Sequence, residues 1–143
     1  MNRKQRHLGR ELALLWLYQI DLSHVSVEEV FTSVPDDLAN IDEEGIDFAK
    51  QLVRGVRDDE ERIDQGIAKY ARGWSLPRMA AIDRNILRIA LYEILNMPDI
   101  PTSVSVDEAV EIAKRYGTDE SGKFVNGILG AFIRGELQNP ETA

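Results

Sequence analysis

The amino-acid sequence predicts an all-α fold, one domain of about six or seven helices, and three observations carry that prediction. Apolar residues recur at helical spacing along almost the whole chain. No segment alternates apolar and polar residues as a half-buried strand does. Pro35, Pro77, Pro98 and Pro101 all fall between the helical stretches, outside helix interiors where proline breaks the hydrogen-bond ladder.

Taken in order, the first helix covers Leu8 to Leu22. Leu12, Ala13, Leu14, Leu15, Trp16, Leu17, Tyr18 and Ile20 leave it almost no polar face, so it is buried on most sides. Ser26-Val-Glu-Glu29 fits a capping box and starts a second helix. Between residues 43 and 73, Ala49, Leu52, Val53, Val56, Ile63, Ile67 and Tyr70 keep the helical period, in one long helix or two. The run Asp58-Asp59-Glu60-Glu61 can start the second of these, since carboxylates favour a helix N-terminus, or it is a solvated acidic face.

Residues 82–97 repeat the dense apolar pattern and form the other central helix. Ser105-Val-Asp-Glu108 is a further capping box, opening a helix that runs to Tyr116 and stops at Gly117. The last helix covers about Gly122 to Leu137. Gly127 and Gly130 lie inside it at about 1 kcal/mol each relative to alanine, and close helix–helix approach accounts for them. Leu17-Tyr18-Gln19-Ile20 and Leu91-Tyr92-Glu93-Ile94 echo each other near the ends of the two central helices, which suits two similar helical subdomains. No linker divides residues 1–143.

Composition narrows the function. With 43% hydrophobic and 29% charged residues the chain has a soluble globular make-up. It lacks cysteine, which removes disulfides, zinc-thiolate centres and thiol nucleophiles, and its two histidines cannot build a histidine-rich metal cluster. No apolar run approaches a membrane span and no signal peptide precedes the first helix, so the expected location is cytoplasmic, away from the membrane. No phosphate loop, nucleophile–base pair or trusted metal spacing appears, so neither catalysis nor a cofactor is expected.

Charge is unevenly placed. The net charge is −8, yet the first ten residues hold Arg3, Lys4, Arg6 and Arg10, with His7, and no acid. The other 133 residues carry 13 basic and 25 acidic side chains, a net −12. A small cationic pole on an anionic body points to one local contact with something negative, or else to a frayed solvated terminus. On a helix Arg3, Arg6 and Arg10 share a face, with Lys4 and His7 beside them, an arrangement suited to single-stranded phosphates. The order of residues 1–7 in the absence of a partner stays open. Arg88 and Glu93, inside an apolar helix, are expected to be ion-paired.

Three stretches in one short chain add a family likeness. They are Arg10-Glu11-Leu12-Ala13 with Leu17-Tyr18; Asp83 to Glu93 (DRNILRIALYE); and Ile100-Pro101 through Asp107-Glu108-Ala109-Val110 and Tyr116-Gly117 to Lys123-Phe124-Val125-Asn126-Gly127-Ile128-Leu129. Their order and spacing closely resemble the NusB family of bacterial transcription antitermination factors, from about residue 6 to 133.

The resemblance implies two small helical bundles set at an angle. It implies binding of boxA-type single-stranded RNA together with NusE, a small-subunit ribosomal protein. Other Nus factors and RNA polymerase are then contacted indirectly, and processive transcription of ribosomal RNA operons is the outcome. Some members form homodimers. By the resemblance the RNA surface combines Arg3, Lys4, Arg6, His7 and Arg10 with Lys123, Phe124 and Asn126. Phe124 is placed either to stack on a base or to pack in the core, and Asn126 to read a base edge or bond a nearby loop. Tyr18 and Asp83 match positions that face NusE, with a core role the alternative for Tyr18. Lys114 and Arg115 either add phosphate contacts or favour the end of their helix. The alternative function is a non-catalytic helical protein-interaction module without RNA binding.

Overall fold

In the computed structural model, which describes residues 1–138, the chain folds into seven α-helices. Helix α1 (Arg3–Ser23) starts earlier than the apolar run alone requires, because the Asn2 side chain caps it by accepting from the Gln5 amide at 2.8 Å. The basic residues therefore lie on the first turns of α1. The helix ends at His24, which takes the left-handed conformation (φ 54°) while its N–H bonds back to Ile20. Ser26 caps the single turn α2 (Val27–Val30) by accepting from the Glu29 amide, as its motif predicts.

The stretch from 43 resolves into two helices, α3 (Glu43–Asp58) and α4 (Glu60–Tyr70), parted at Asp59, with Glu60 and Glu61 in the first turn of α4. Helix α5 (Ala81–Asn96) follows a short 3₁₀ turn at Leu76–Arg78.

Two local expectations are corrected by packing. Helix α6 (Thr102–Tyr116) begins directly after Pro101, so Ser105 is not its cap. Proline's fixed φ already suits a helix start. Ser105 sits in the second turn, buried, and its hydroxyl donates to Glu93 Oε1 at 2.9 Å. Helix α7 (Ser121–Phe132) continues as a π-helical turn (Ile133–Leu137), and Gly127 and Gly130 do not mark a close helix contact. A Cβ on Gly127 would meet nothing within 4 Å, and one on Gly130 would meet only the flexible Arg134 guanidinium. Tight helix–helix approaches lie at Gly9, whose Cβ would sit 2.8 Å from the Gly45 carbonyl, at Gly55, which receives the Tyr92 ring, and at Gly135 in the final turn, which receives Tyr70.

The core forms where the sequence is most apolar. Leu12, Ala13, Leu14, Trp16 and Leu17 of α1 and Leu87, Ala90 and Leu91 of α5 are buried, as are Leu52, Val53 and Val56 of α3. Trp16 keeps its indole N–H satisfied on the Ser33 carbonyl at 2.8 Å, with its ring 4.9 Å from Phe31. Helix α1 packs on α3, α5 packs on α4, α6 and α7, and contacts of α5 with α1 and α3 join the two groups. Charged side chains on the central helices find partners. Arg88 is bidentate to Asp64 (2.9 Å twice), with Asp21 at 3.4 Å.

Candidate nucleic-acid interface

The first turns of α1 present a cationic edge whose members have different fates. Arg3 and Lys4 are exposed. Arg6 is half-buried and lies 3.5 Å from Asp99, and Arg3 and Arg6 line a cleft of about 370 Å³ against Pro101 and Val104 at the start of α6.

Arg10 shares the face but not the exposure. It is 2% exposed; its Nε and Nη2 donate to the two oxygens of Glu93, each at 2.8 Å, and its guanidinium lies 5.5 Å from the centre of the Phe48 ring. The structure therefore gives Arg10 an internal partner in place of an exposed position: α1 turns this part of its charged face towards α5, and Glu93 holds the charge inside, with Arg10 reaching only the floor of the cleft that Arg3 and Arg6 line.

His7 is also engaged. Its Nδ1 lies 2.5 Å from Glu108 Oε2 and its Nε2 2.6 Å from Glu11 Oε1, and both carboxylates are buried. Partial burial pulls its pKa down, but the Glu108 hydrogen bond and the charges of Glu108, Glu11 and Glu111 outweigh that, and the net shift is upward. Tyr116 donates to the other Glu11 oxygen at 2.6 Å; burial first, then this bond, pushes its phenol up to about 12. His7, Glu108 and Glu111 bring their ligand atoms within 4.8 Å of one another. Both ring nitrogens already face carboxylates, a geometry that holds a proton between them.

A second surface forms where α4 ends and α7 begins. Lys123 and Phe124 stand in the first turn of α7. Facing them, Trp74 in the connection after α4 is 53% exposed, its ring edge-on to Phe124 at 5.7 Å. With Tyr70, Arg72, Gly127 and Arg134 they line a cleft of about 660 Å³. Phe124 packs against the core on one side and is open to this cleft on the other. Large exposed aromatic rings beside cations are what stacking of unpaired bases requires. Arg72, Trp74 and Arg134 escaped the sequence reading, and Tyr70 entered it only as an apolar helix position. The available signal was Arg72-Gly73-Trp74, a tryptophan outside any helix next to a glycine at φ 78°.

The remaining candidates are placed as follows. Asn126 is exposed on α7 but does not line the cleft. Asp83, in the first turn of α5, is half-buried and lines a neighbouring cleft of about 270 Å³ that also contains Trp74 and Phe124. Its Oδ1 is buried without a hydrogen-bond partner among the described residues. Tyr18 is half-buried on α1, so it is not a pure core residue. Lys114 lies along Gly122, and Arg115 reaches Glu11 at 3.4 Å; both end α6, where cations favour the helix dipole.

The cationic edge and the aromatic surface are two patches rather than one. The edge abuts the N-terminal end of α6, whereas α7 and Phe124 follow from its C-terminal end. The 15 residues of α6 span about 22 Å. No described helix is long and apolar enough to cross a membrane.

Comparison with known proteins identifies the family. Residues 7–134 match the sequence model of the NusB family. The chain is 48% identical to the transcription antitermination protein NusB of Symbiobacterium thermophilum, over 91% of this chain and 90% of that protein. It is 44% identical to the Bacillus subtilis protein of the same name, over 87% and 92%. Among solved structures it is similar to NusB of T. maritima (TM-score 0.82, 38% identity, 94% of this chain and 93% of that one). It is also similar to a chain in a crystal structure of the antitermination factors NusB and NusE in complex with dsRNA (TM-score 0.83, 28% identity, 94% and 99%).

Proposed function

Because the chain belongs to the NusB family, we propose that it is a transcription antitermination factor that binds boxA-type single-stranded RNA together with NusE. On this reading it works in the cytoplasm with other Nus factors on RNA polymerase and favours processive transcription of ribosomal RNA operons. The observation that carries the RNA part is the exposed Trp74 ring set against Phe124 between Arg72, Lys123 and Arg134.

Each part has a physical task. Trp74 and Phe124 offer π-faces, and stacking one unpaired base is worth about 1–3 kcal/mol. Arg72, Lys123 and Arg134 meet phosphates locally, which a net charge of −8 makes necessary because the overall field repels RNA. Arg3, Lys4 and Arg6 form a second phosphate contact at the far end of α6. A strand that reaches both patches engages six cations, for a log–log salt slope of about −4 at roughly 0.7 per contact. On this reading Tyr18 and Asp83, both half-buried, face NusE.

Fluorescence anisotropy with a labelled boxA-type RNA, with and without NusE, tests this. Trp74→Ala should weaken binding by about 5- to 150-fold, and NusE should tighten it. An unchanged affinity in Trp74→Ala, or capture of NusE with no RNA dependence, would leave a protein-interaction module instead.

A further inference from the structure

We propose that His7 is a protonation-dependent positioning residue: as an imidazolium it bridges Glu11 and Glu108 and so holds the Arg3–Arg6 edge against α6 in the form that meets RNA. The inference rests on the RNA reading above and adds a regulatory input to it.

The geometry suits the imidazolium. A neutral imidazole has one N–H and one lone pair, whereas an imidazolium donates from both nitrogens. Here both nitrogens sit 2.5–2.6 Å from carboxylate oxygens on two different helices. When the proton leaves to solvent, one buried carboxylate must face a lone pair, and the contact opens. The groups around His7 reinforce this. On α1 they are Glu11 and Arg10; on α6 they are Glu108 and Glu111, with Arg115 and Tyr116 reaching it through Glu11. Glu93 of α5 stands one step further, behind Arg10. Arg10 also lies 3.7 Å from Glu108, so it shares that carboxylate without replacing the imidazolium.

The opposite side of the same turn is pinned independently. The Gln5 side chain accepts from the Asp42 amide at 2.8 Å and donates to the Asn40 carbonyl at 3.4 Å, tying the turn to the start of α3. Deprotonation therefore releases only the side that faces α6, where Arg3 and Arg6 line their cleft. It also leaves one more uncompensated carboxylate next to the proposed RNA path. Both effects weaken phosphate binding as pH rises, and neither touches the Trp74–Phe124 surface. The other histidine, His24, is exposed at the far end of α1 and provides a control.

The test is the salt dependence of RNA affinity for the full chain from about pH 5.5 to about pH 8.5, the range of histidine titration. Wild type, His7→Arg and His7→Gln are compared, with His24→Gln as control. Wild type should lose about 1.4 from its log–log slope across this range, two phosphate contacts at roughly 0.7 each. His7→Arg should keep the steep slope throughout, and His7→Gln should show the shallow one at every pH. Equal slopes for wild type and His7→Arg at every pH, with Trp74-dependent binding present, would overturn the proposal. Absence of RNA binding at any pH would instead overturn the RNA reading. In that case, or if His7→Gln does not fold, the ring-nitrogen resonances of His7 and amide exchange over residues 3–10 decide. Protection factors, which divide out the base-catalysed intrinsic rate, that fall as His7 loses its proton support the clamp, and protection factors indifferent to that titration refute it.

Discussion

Replacing Arg10 with alanine should cost the protein stability before it costs any surface interaction. Arg10 is 2% exposed and Glu93 1%, and their two hydrogen bonds of 2.8 Å are reinforced by Ser105 on the same carboxylate. Arg10→Ala leaves Glu93 as an uncompensated charge inside the junction of α1, α5 and α6. Removing one partner of a buried pair typically costs about 3–5 kcal/mol. A domain of this size has about 5–15 kcal/mol in total, so the variant should be visibly marginal. At about 3 °C per kcal/mol, its melting temperature should fall by on the order of 10–15 °C.

The companion is Arg10→Met with Glu93→Leu, which removes both charges and fills similar volume. Such exchanges are often neutral or stabilising, so the double variant should recover most of the loss. Thermal and urea unfolding followed by circular dichroism measure both. A loss below about 1 kcal/mol in Arg10→Ala, the scale of a surface ion pair, would refute the assignment of Arg10 to the interior. So would a collapse of RNA affinity in the double variant while its stability stays normal.

Further outcomes follow from single positions. Tyr116→Phe removes the donor to buried Glu11 and should cost about 1–3 kcal/mol in urea unfolding. The raised Tyr116 pKa means that the folded state favours the neutral phenol. Its contribution is intact below the ordinary value of 10.0 and is lost as pH climbs through about 12, so a late phenolate absorbance step should accompany a fall in stability. Gly55→Ala places a Cβ 2.1 Å from the Tyr92 ring and should destabilise by about 1–3 kcal/mol. Gly127→Ala meets open space within a helix and should stabilise by about 0.5–1 kcal/mol in the same assay.

Much of the fold was legible because it is set by local rules and apolar density. The all-round apolar faces of α1 and α5 required burial on several sides, and Ser26 caps α2 as its motif specifies. Ser105 shows where such rules end. Its motif has the same spacing, but Pro101 starts the helix earlier and Glu93, brought by α5, claims the hydroxyl. Arg10 failed for a related reason. Helical spacing puts it on one face with Arg3 and Arg6, but spacing does not say where that face meets another helix. The clue lay elsewhere, in Glu93, a carboxylate within an apolar helix that had to have a cation. The Trp74 surface stayed hidden because it joins a connection after α4 to the start of α7, about 50 residues apart, and no periodicity links them. Gly127 was read as a contact because a helical glycine costs stability, yet it faces an open cleft.

Photochemical cross-linking of a boxA-type RNA to the protein in the presence of NusE, followed by mapping of the modified peptides, tests the RNA reading most directly. Adducts should appear on the peptides that contain Trp74 and Phe124, and on the first turns of α1 that carry Arg3 and Arg6. Adducts confined to α2 and α3, with none on Trp74 or Phe124, would contradict it.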